Sequence, residues 1–150
     1  MTAGELCTRD VITTTREEAL VIAAQRMRDL HVGDLVVVDE VGGRREPVGM
    51  ITDRDIVVKV LAAGPERVAR ARVLDAMSDA LITAHEEDNV EDVLGRMTAN
   101  GVRRVPLVDD DGCLAGVLSF DDIVAMLSEE LVDLSHLIAR QQRRERQSRV

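Results

Sequence analysis

The sequence predicts an α/β protein (α+β in some schemes) made of two β-α-β-β-α repeats, related by pseudo-two-fold symmetry, and a C-terminal helical extension. Three observations predict this fold. The chain matches itself after a shift of 70 residues, and each half alternates short β-branched runs with amphipathic segments. One further amphipathic segment has no counterpart in the first half. At 150 residues the chain can bury a sizeable core without disulfides or metals.

The internal match combines identical and conservative pairs. The stretches that coincide are 12–13 with 82–83, 26–27 with 96–97 and 38–39 with 108–109. A longer Gly-rich turn in the first half then lowers the offset to 67, and Gly49–Val57 matches Gly116–Val124. Because an insertion in a surface turn costs little, the pattern indicates a tandem duplication.

The first repeat predicts five elements in the order strand, helix, strand, strand, helix. They are a strand at Val11–Thr14, a helix at Glu17–Leu30, strands at Leu35–Val38 and Val48–Ile51, and a helix at Asp53–Ala63. The apolar residues of the first helix have helical spacing, and a capping box at 15–18 predicts its start. Gly64-Pro65 predicts the end of the second helix.

The second repeat predicts the same order of elements. They are a strand at Leu81–Thr83, a helix at Asn89–Ala99, strands at Val105–Val108 and Leu114–Leu118, and a helix from Phe120. Each sheet would have an apolar face that its own helices leave uncovered, so two repeats packed sheet to sheet would bury both faces. The expected organisation is a first motif at 5–63, a linker at 64–74, a second motif at 75–130, and an amphipathic helix with a basic tail at 131–150.

The last segment continues the final helix. Leu127, Leu131, Leu134 and Ile138 recur at three- and four-residue intervals, which predicts an amphipathic helix. Its apolar face either folds back on the body or packs against a second subunit. Residues 140–150 contain five Arg and one Glu, a net charge of +4, so the other 139 residues sum to −13. Such a tail could touch nucleic acid, a membrane or a partner, although a solvated helix end is the simpler interpretation.

Composition excludes several function classes. The chain has one Phe, no Trp, no Tyr and a net charge of −9, so neither base stacking nor a broad phosphate-binding surface is expected. No apolar run is long enough for a membrane span and no signal peptide is present, which indicates a cytoplasmic protein. Cys7 and Cys113 have no metal-ligand spacing; Cys7 is predicted as a core thiol, and Cys113 as a turn residue open to oxidation. Since no nucleophile, base and orienting group come together, the protein is not expected to be an enzyme.

The candidate site is a pair of equivalent strand-to-helix junctions. Thr52 precedes Asp55 by three residues in the first repeat, and Ser119 precedes Asp122 in the second. This spacing is typical of a capping box, in which hydroxyl and carboxylate satisfy free backbone N–H groups. A carboxylate at such a position can also accept hydrogen bonds from ribose hydroxyls. Its occurrence at the same point of both repeats favours a ligand site.

These residues carry a resemblance to a known family. The stretches Gly49–Ile56, Gly116–Ile123 and Val102–Asp109 resemble CBS motifs, the units named after cystathionine β-synthase. Two such motifs in tandem form a CBS pair, or Bateman module. The resemblance covers residues from about 5 to 130, and the chain as a whole is similar to small stand-alone bacterial CBS-pair proteins of the hypoxia-response type.

The resemblance implies that adenosyl ligands lie in two clefts between the motifs. Asp55 and Asp122 would hold ribose hydroxyls. Thr52 and Ser119 would contact ribose or phosphate. The other implied contacts are the backbone of Ile12, Thr13, Ile82 and Thr83 at the adenine edge, Leu35, Val105 and Pro106 beside the base, and Arg54, Arg103 and Arg104 at phosphates. We name the two sites the Asp55 cleft and the Asp122 cleft.

The two clefts cannot be equivalent. Arg103-Arg104 in the second repeat stands where the first has Gly33-Asp34, and Phe120-Asp121 stands where the first has Asp53-Arg54. The Asp55 cleft is expected to be the more complete, particularly if an Arg reaches across to it. The acidic residues near both junctions would repel an anion unless a cation such as magnesium offsets them.

The expected function is regulatory ligand binding. The resemblance implies ATP, ADP, AMP, NAD or S-adenosylmethionine as the ligand, with or without Mg²⁺. No obligatory cofactor or metal is expected. Output would act in trans, through a homodimer or through a protein partner at the C-terminal helix. The alternative is a structural or interaction protein without tight ligand binding, which contacts nucleic acid or a partner through that helix and its Arg-rich tail.

Overall fold

The computed structural model describes residues 1–148, so Arg149 and Val150, the end of the predicted basic tail, lie outside the described residues. The first half contains α1 (Ala3–Leu6), β1 (Thr13–Thr14), α2 (Leu20–Leu30), β2 (Asp34–Val41), β3 (Arg44–Thr52) and α3 (Asp53–Asp55), which runs on as a π-helical segment, Ile56–Leu61. A 3-10 turn at Pro65–Arg67 leads to the second half. That half contains α4 (Val73–Ala76), β4 (Ala84–His85), α5 (Val90–Asn100), β5 (Arg104–Val108), β6 (Leu114–Ser119) and α6 (Phe120–Gln147).

Each repeat forms a three-stranded sheet, in the orders β1-β2-β3 and β4-β5-β6. The first pair of strands in each sheet is parallel and the second pair is antiparallel. Side chains alternate along β2, so Leu35 and Val37 enter the core of the first repeat while Val36 points to the opposite face. The predicted β-α-β-β-α order of both repeats is confirmed, with a bulge at the same place in each, Val37/Val38 and Leu107/Val108.

One predicted strand is displaced and another is shorter than predicted. The predicted strand at Leu81–Thr83 is irregular, and β4 follows it directly, pairing with β5 through Ala84 and His85. Likewise, β1 has only the last two residues of the predicted Val11–Thr14. Because these edge strands pair through two residues each, the register is set by contacts with β2 and β5 rather than by their own sequence.

The start of α2 also differs from the prediction. The helix begins at Leu20, its N-cap residue is Ala19, and no side chain caps it. The predicted capping box at 15–18 is absent because the Glu18 carboxylate has other partners. Arg26 donates to both of its oxygens, at 2.7 and 3.0 Å, and the Thr14 hydroxyl donates to one of them. Glu18 therefore ties α2 to β1 instead of starting the helix.

The amino-terminal segment of each repeat packs on the other repeat. In α1, Ala3 belongs to the core formed by β4–β6, α5 and the start of α6. In α4, Val73 and Ala76 belong to the core of the first repeat. Backbone hydrogen bonds also join these segments to the opposite repeat: Thr8 pairs with Val117 of β6, and Ser78 pairs with Met50 of β3. The two repeats are thus bound together by exchanged segments as well as by facing surfaces.

The last helix is continuous, as predicted. It has 28 residues, and Ile123 in its first turns is buried in the second core. From Leu127 onward the large apolar side chains are exposed, so the apolar face does not fold back on the body. Among residues 1–148, no helix combines the length and the apolar character that crossing a bilayer requires.

Candidate functional site

Both strand-to-helix junctions are reciprocal capping boxes. At the end of β3, Thr52 Oγ1 accepts from Asp55 N at 3.0 Å and Asp55 Oδ2 accepts from Thr52 N at 3.0 Å. At the end of β6, Ser119 Oγ accepts from Asp122 N at 3.2 Å and Asp122 Oδ2 accepts from Ser119 N at 2.9 Å. The capping interpretation is therefore confirmed. It fixes both carboxylates in place, which is also what a binding carboxylate needs.

The Asp122 cleft lies between the two repeats and has a volume of about 230 Å³. The first repeat contributes the approach to β1 and one face of β2, and the second contributes β6 and the start of α6. The wall is formed by Thr8, Asp10, Val11, Ile12, Val32, Asp34, Val36, Arg104, Val117, Ser119 and Asp122. Four residues predicted from the sequence therefore meet here, namely Ile12, Arg104, Ser119 and Asp122.

One oxygen of Asp122 is engaged and the other faces no donor of the described chain. Oδ2 accepts from both the backbone N and the hydroxyl of Ser119, the latter at 2.5 Å. None of the hydrogen bonds within residues 1–148 reaches Oδ1. A half-buried carboxylate with one free oxygen in a cleft can accept hydrogen bonds from a ligand hydroxyl.

An ion pair between the repeats crosses the cleft. Arg104, at the start of β5, donates to the carboxylate of Asp34, at the start of β2. The two residues are equivalent under the internal repeat, since their numbers differ by 70. The hydrogen bond that Arg104 donates to Asp34 raises the pKa of the Arg104 guanidinium, so the cation is permanent. Arg104 is a predicted phosphate contact, and in the structure its guanidinium donates to the carboxylate of Asp34.

We expect this pair to stabilise the contact between the repeats. Replacing Arg104 with Ala leaves the part-buried Asp34 unpaired and should lower the free energy of unfolding by roughly 1–2 kcal/mol. In a double-mutant cycle with Asp34→Ala, urea unfolding should give a coupling of about 1 kcal/mol. Additive single effects would contradict the assignment, because they would mean that the two side chains act independently.

The Asp122 cleft carries an excess of negative charge. Its wall contains the carboxylates of Asp10, Asp34 and Asp122, and Arg104 is the one basic residue of that wall. Arg104 is already neutralised by Asp34. Two carboxylates are therefore left without a cation in the cleft wall, and in the reduced dielectric of a cleft they disfavour polyphosphate groups.

The Asp55 junction has a different electrostatic arrangement. Lys59 donates to the Ala76 carbonyl at 3.1 Å, and its Nζ lies 3.0 Å from Asp55 Oδ1. Both oxygens of Asp55 thus have partners, Thr52 N and Lys59. A ribose would have to displace Lys59, so Asp55 is less available than Asp122. Arg54, predicted as a phosphate contact, is exposed on the first turn of α3.

The remaining predicted residues are scattered around these clefts. Arg103 lies outside the Asp122 cleft, where it pairs with Asp121 at 3.4 Å and stacks on Phe120 at 5.5 Å. The side chains of Leu35 and Val105 are buried in the two cores, so only their backbone could meet a base. The other predicted contacts have these places: Thr13 in β1, Ile82 and Thr83 in the irregular segment before β4, and Pro106 in β5 opposite Val117.

Sequence reasoning missed two parts of the Asp122 cleft. Asp10 stands in the irregular segment before β1, and its equivalent in the other repeat is Ala80, so the repeat itself gave no signal. Val36 could have been found, because strand alternation places it on the face opposite Leu35 and its repeat equivalent is Pro106. The side chain of β2 that lines the cleft is therefore Val36, whereas Leu35, the predicted base contact, points into the core.

Neither cysteine has the lowered thiol pKa of a reactive cysteine. Burial raises the pKa of the Cys7 thiol, which packs on the second core beside Gly116. Desolvation, followed by the charge of Asp109, raises the pKa of Cys113 as well. A raised pKa lowers the thiolate fraction at neutral pH, which opposes a redox-sensing role.

In the part of the chain that the structure describes, no three His, Cys, Asp or Glu side chains converge to hold a metal ion.

Known proteins resemble this chain along most of its length. A profile of the family described as CBS domain matches residues 3–62 and 73–129. Uncharacterized protein MK0525 of Methanopyrus kandleri is 38% identical over 141 residues, which is 87% of this chain and 68% of that protein. Hypoxic response protein 1 of Mycobacterium tuberculosis is 31% identical over 131 residues, which is 87% of this chain and 88% of that protein.

Solved structures share the fold. The CBS domain pair of protein MJ0100, in complex with 5′-methylthioadenosine and S-adenosyl-L-methionine, superposes with a TM-score of 0.71 at 26% identity, covering 85% of this chain and 99% of that one. Hypoxic Response Protein I, solved with two coordinated zinc ions, has a TM-score of 0.70 at 30% identity, covering 83% and 98%.

An enzyme also matches, in part. Inosine-5′-monophosphate dehydrogenase of Methanocaldococcus jannaschii is 33% identical over 122 residues. The match covers 81% of this chain and 23% of the enzyme. The likeness is therefore confined to a small part of that protein, whereas hypoxic response protein 1 matches along most of its length.

Proposed function

This chain belongs to the CBS domain family and carries two copies of the domain in tandem, and we propose that it is a regulatory module that binds an adenosyl ligand in the Asp122 cleft. The observation that carries the proposal is the Asp122 carboxylate. It is fixed by Ser119, stands in a cleft between the repeats, and keeps Oδ1 free for ribose hydroxyls.

The charge of the cleft selects among adenosyl ligands. With Arg104 neutralised by Asp34, the carboxylates of Asp10 and Asp122 repel phosphate groups and attract a cation. The ligand class that fits is a neutral or cationic adenosine derivative, such as a thioether or sulfonium of adenosine. A related CBS pair, that of MJ0100, has been solved with 5′-methylthioadenosine and S-adenosyl-L-methionine, which supports this choice.

The ligand would act on the contact between the repeats. Residues of both repeats form the wall of the Asp122 cleft, and Arg104–Asp34 joins the repeats across it. A ligand that binds one relative placement of the repeats better than another shifts the population toward that placement. The protein is thus a sensor rather than an enzyme, and it transmits the change in trans to a partner or to a second copy.

Calorimetric titration of the full chain tests the proposal. We expect saturable heat with S-adenosylmethionine and 5′-methylthioadenosine, and affinities for ATP, ADP, AMP and NAD that are weaker by about tenfold or more because of the uncompensated carboxylates. Excess Mg²⁺ should narrow that difference by screening the phosphates. Tightest binding of ATP without Mg²⁺ would contradict the charge argument. Absence of heat with every ligand, from a folded sample, would contradict ligand sensing and favour a purely structural role.

A further inference from the structure

The second part of α6 extends away from the two repeats, and none of its side chains is buried against them. No buried residue follows Ile123 in this helix, and the segment from Leu127 to Gln147 has 21 residues, a length of about 32 Å at 1.5 Å per residue. Six large apolar side chains of this segment are exposed: Leu127, Leu131, Val132, Leu134, Leu137 and Ile138. A patch of this kind on an isolated helix marks an interaction surface.

The exposed apolar residues form a seam with heptad spacing. Starting from Phe120, large apolar residues follow at intervals of 4, 3, 4, 3 and 4 residues, and all six are exposed: Phe120, Val124, Leu127, Leu131, Leu134 and Ile138. This is the alternation by which two helices pack in a coiled coil. Ile123 and Met126, which pack on the body, lie off the seam, so body and seam use different faces of α6.

The charges of α6 are segregated along its length. Five acidic residues, Asp121, Asp122, Glu129, Glu130 and Asp133, precede the basic residues Arg140, Arg143, Arg144 and Arg146, and Glu145 is the one carboxylate within the basic segment. Within residues 1–148, no ion pair involves a residue of α6 beyond Asp121. Like charges meet at four-residue intervals, as in Glu129 with Asp133 and Arg140 with Arg144, which destabilises a helix on its own.

We propose that α6 pairs with the same helix of a second copy of this chain, in antiparallel orientation, through the seam Leu127, Leu131, Leu134 and Ile138. Charge complementarity fixes the direction. A parallel pair would place acidic beside acidic and basic beside basic residues along the whole helix. The antiparallel pair instead brings Arg143 and Arg144 of each helix beside Asp122 and Asp121 of the other, and leaves the other three of the five acidic residues beside residues 132–136 of the other helix. Centred between Leu131 and Leu134, the seam pairs Leu127 with Ile138 and Leu131 with Leu134 across the two-fold axis.

Sedimentation equilibrium of the full chain tests the interface. We expect a mass of twice 16.5 kDa for the native chain. Leu131→Asp should weaken the dimer by roughly 100-fold or more, because it places two carboxylates in the apolar seam. The matched control is Val132→Asp, the same change at the next exposed position, which lies outside the seam and should leave the dimer within about threefold of native. A native monomer, or a Leu131→Asp dimer of native affinity, would overturn the proposal.

Charge reversal and cross-linking test the orientation. Replacing Arg140, Arg143 and Arg144 with Glu should also yield monomers, without touching any apolar side chain. In a Cys7→Ala/Cys113→Ser background, a chain with Leu127→Cys should form a disulfide with a chain carrying Ile138→Cys, and neither should cross-link with itself. Efficient self-linking of the Leu127→Cys chain would establish a parallel pair and refute the antiparallel one. Circular dichroism of each variant shows that the body has folded.

Discussion

Asp122→Ala is expected to abolish adenosyl-ligand binding at ordinary concentrations, with a loss of roughly 100-fold, because two charge-assisted hydrogen bonds to a ribose disappear together. The same change costs the capping contact to Ser119 N, about 1 kcal/mol of stability. Thermal unfolding should therefore shift by only a few degrees while binding is lost. Calorimetry with S-adenosylmethionine, beside an unfolding curve, separates the two effects.

The internal repeat supplies a matched control. Asp55→Ala removes the same capping contact at the equivalent junction, Asp55 Oδ2 to Thr52 N, so its effect on folding is similar. Since Lys59 already occupies the other oxygen of Asp55, binding should change by less than about threefold. The opposite outcome, with binding lost in Asp55→Ala and kept in Asp122→Ala, would establish the Asp55 cleft as the site and refute the present assignment. That outcome would instead support the expectation from sequence that the Asp55 cleft is the more complete one.

Gly49→Ala is expected to destabilise the fold by about 2–3 kcal/mol through overpacking. A Cβ at Gly49 would lie 2.5 Å from the carbonyl oxygen of Ser78 and would also meet the end of the Met77 side chain. Methionine can move, but the Ser78 carbonyl cannot without breaking its bond from Met50 N, which is 3.0 Å long. The segment that contains Met77 and Ser78 would therefore have to move away from β3.

Alanine substitutions at two further glycines provide comparisons for the stability change at Gly49. Gly116 is the equivalent in the second repeat, where a Cβ would lie 2.5 Å from Cys7 Sγ and 3.0 Å from the Thr8 carbonyl, so Gly116→Ala should be destabilising as well. Gly95 is exposed in the middle of α5 with no atom near its would-be Cβ. Gly95→Ala should stabilise by roughly 0.5–1 kcal/mol, because alanine favours the helix. Urea unfolding that ranks the three variants otherwise would show that the exchanged segments do not hold the repeats together.

Local and periodic features were readable from the sequence alone. The duplication predicts the order of elements in both repeats, and the β-branched runs place β2 and β5 close to their observed positions. The capping boxes at Thr52–Asp55 and Ser119–Asp122 are as expected because their contacts span three residues. The continuous last helix follows from its apolar spacing. In each case the determining interactions lie within a few residues of one another.

Long-range competition decided what the sequence could not. Glu18 lies in a sequence typical of a capping box, yet its carboxylate accepts hydrogen bonds from Arg26 and Thr14 instead. Arg104 has the charge for a phosphate, yet Asp34 from the other repeat neutralises it. The Glu18 carboxylate and the Arg104 guanidinium each have two possible partners. Each binds the partner that the packing of distant segments brings within hydrogen-bond distance.

The sequence by itself therefore determined the repeat, the family and the two carboxylates that define the candidate site. The tertiary structure decided which carboxylate stays free, what charge surrounds it, and which helix face remains uncovered. Asp55 and Asp122 are equivalent in sequence, but Lys59 reaches only the first, and Asp10 enters only the cleft of the second. The reason is physical: periodicity and capping depend on neighbours along the chain, whereas the charge and accessibility of a cleft depend on which side chains converge there from both repeats.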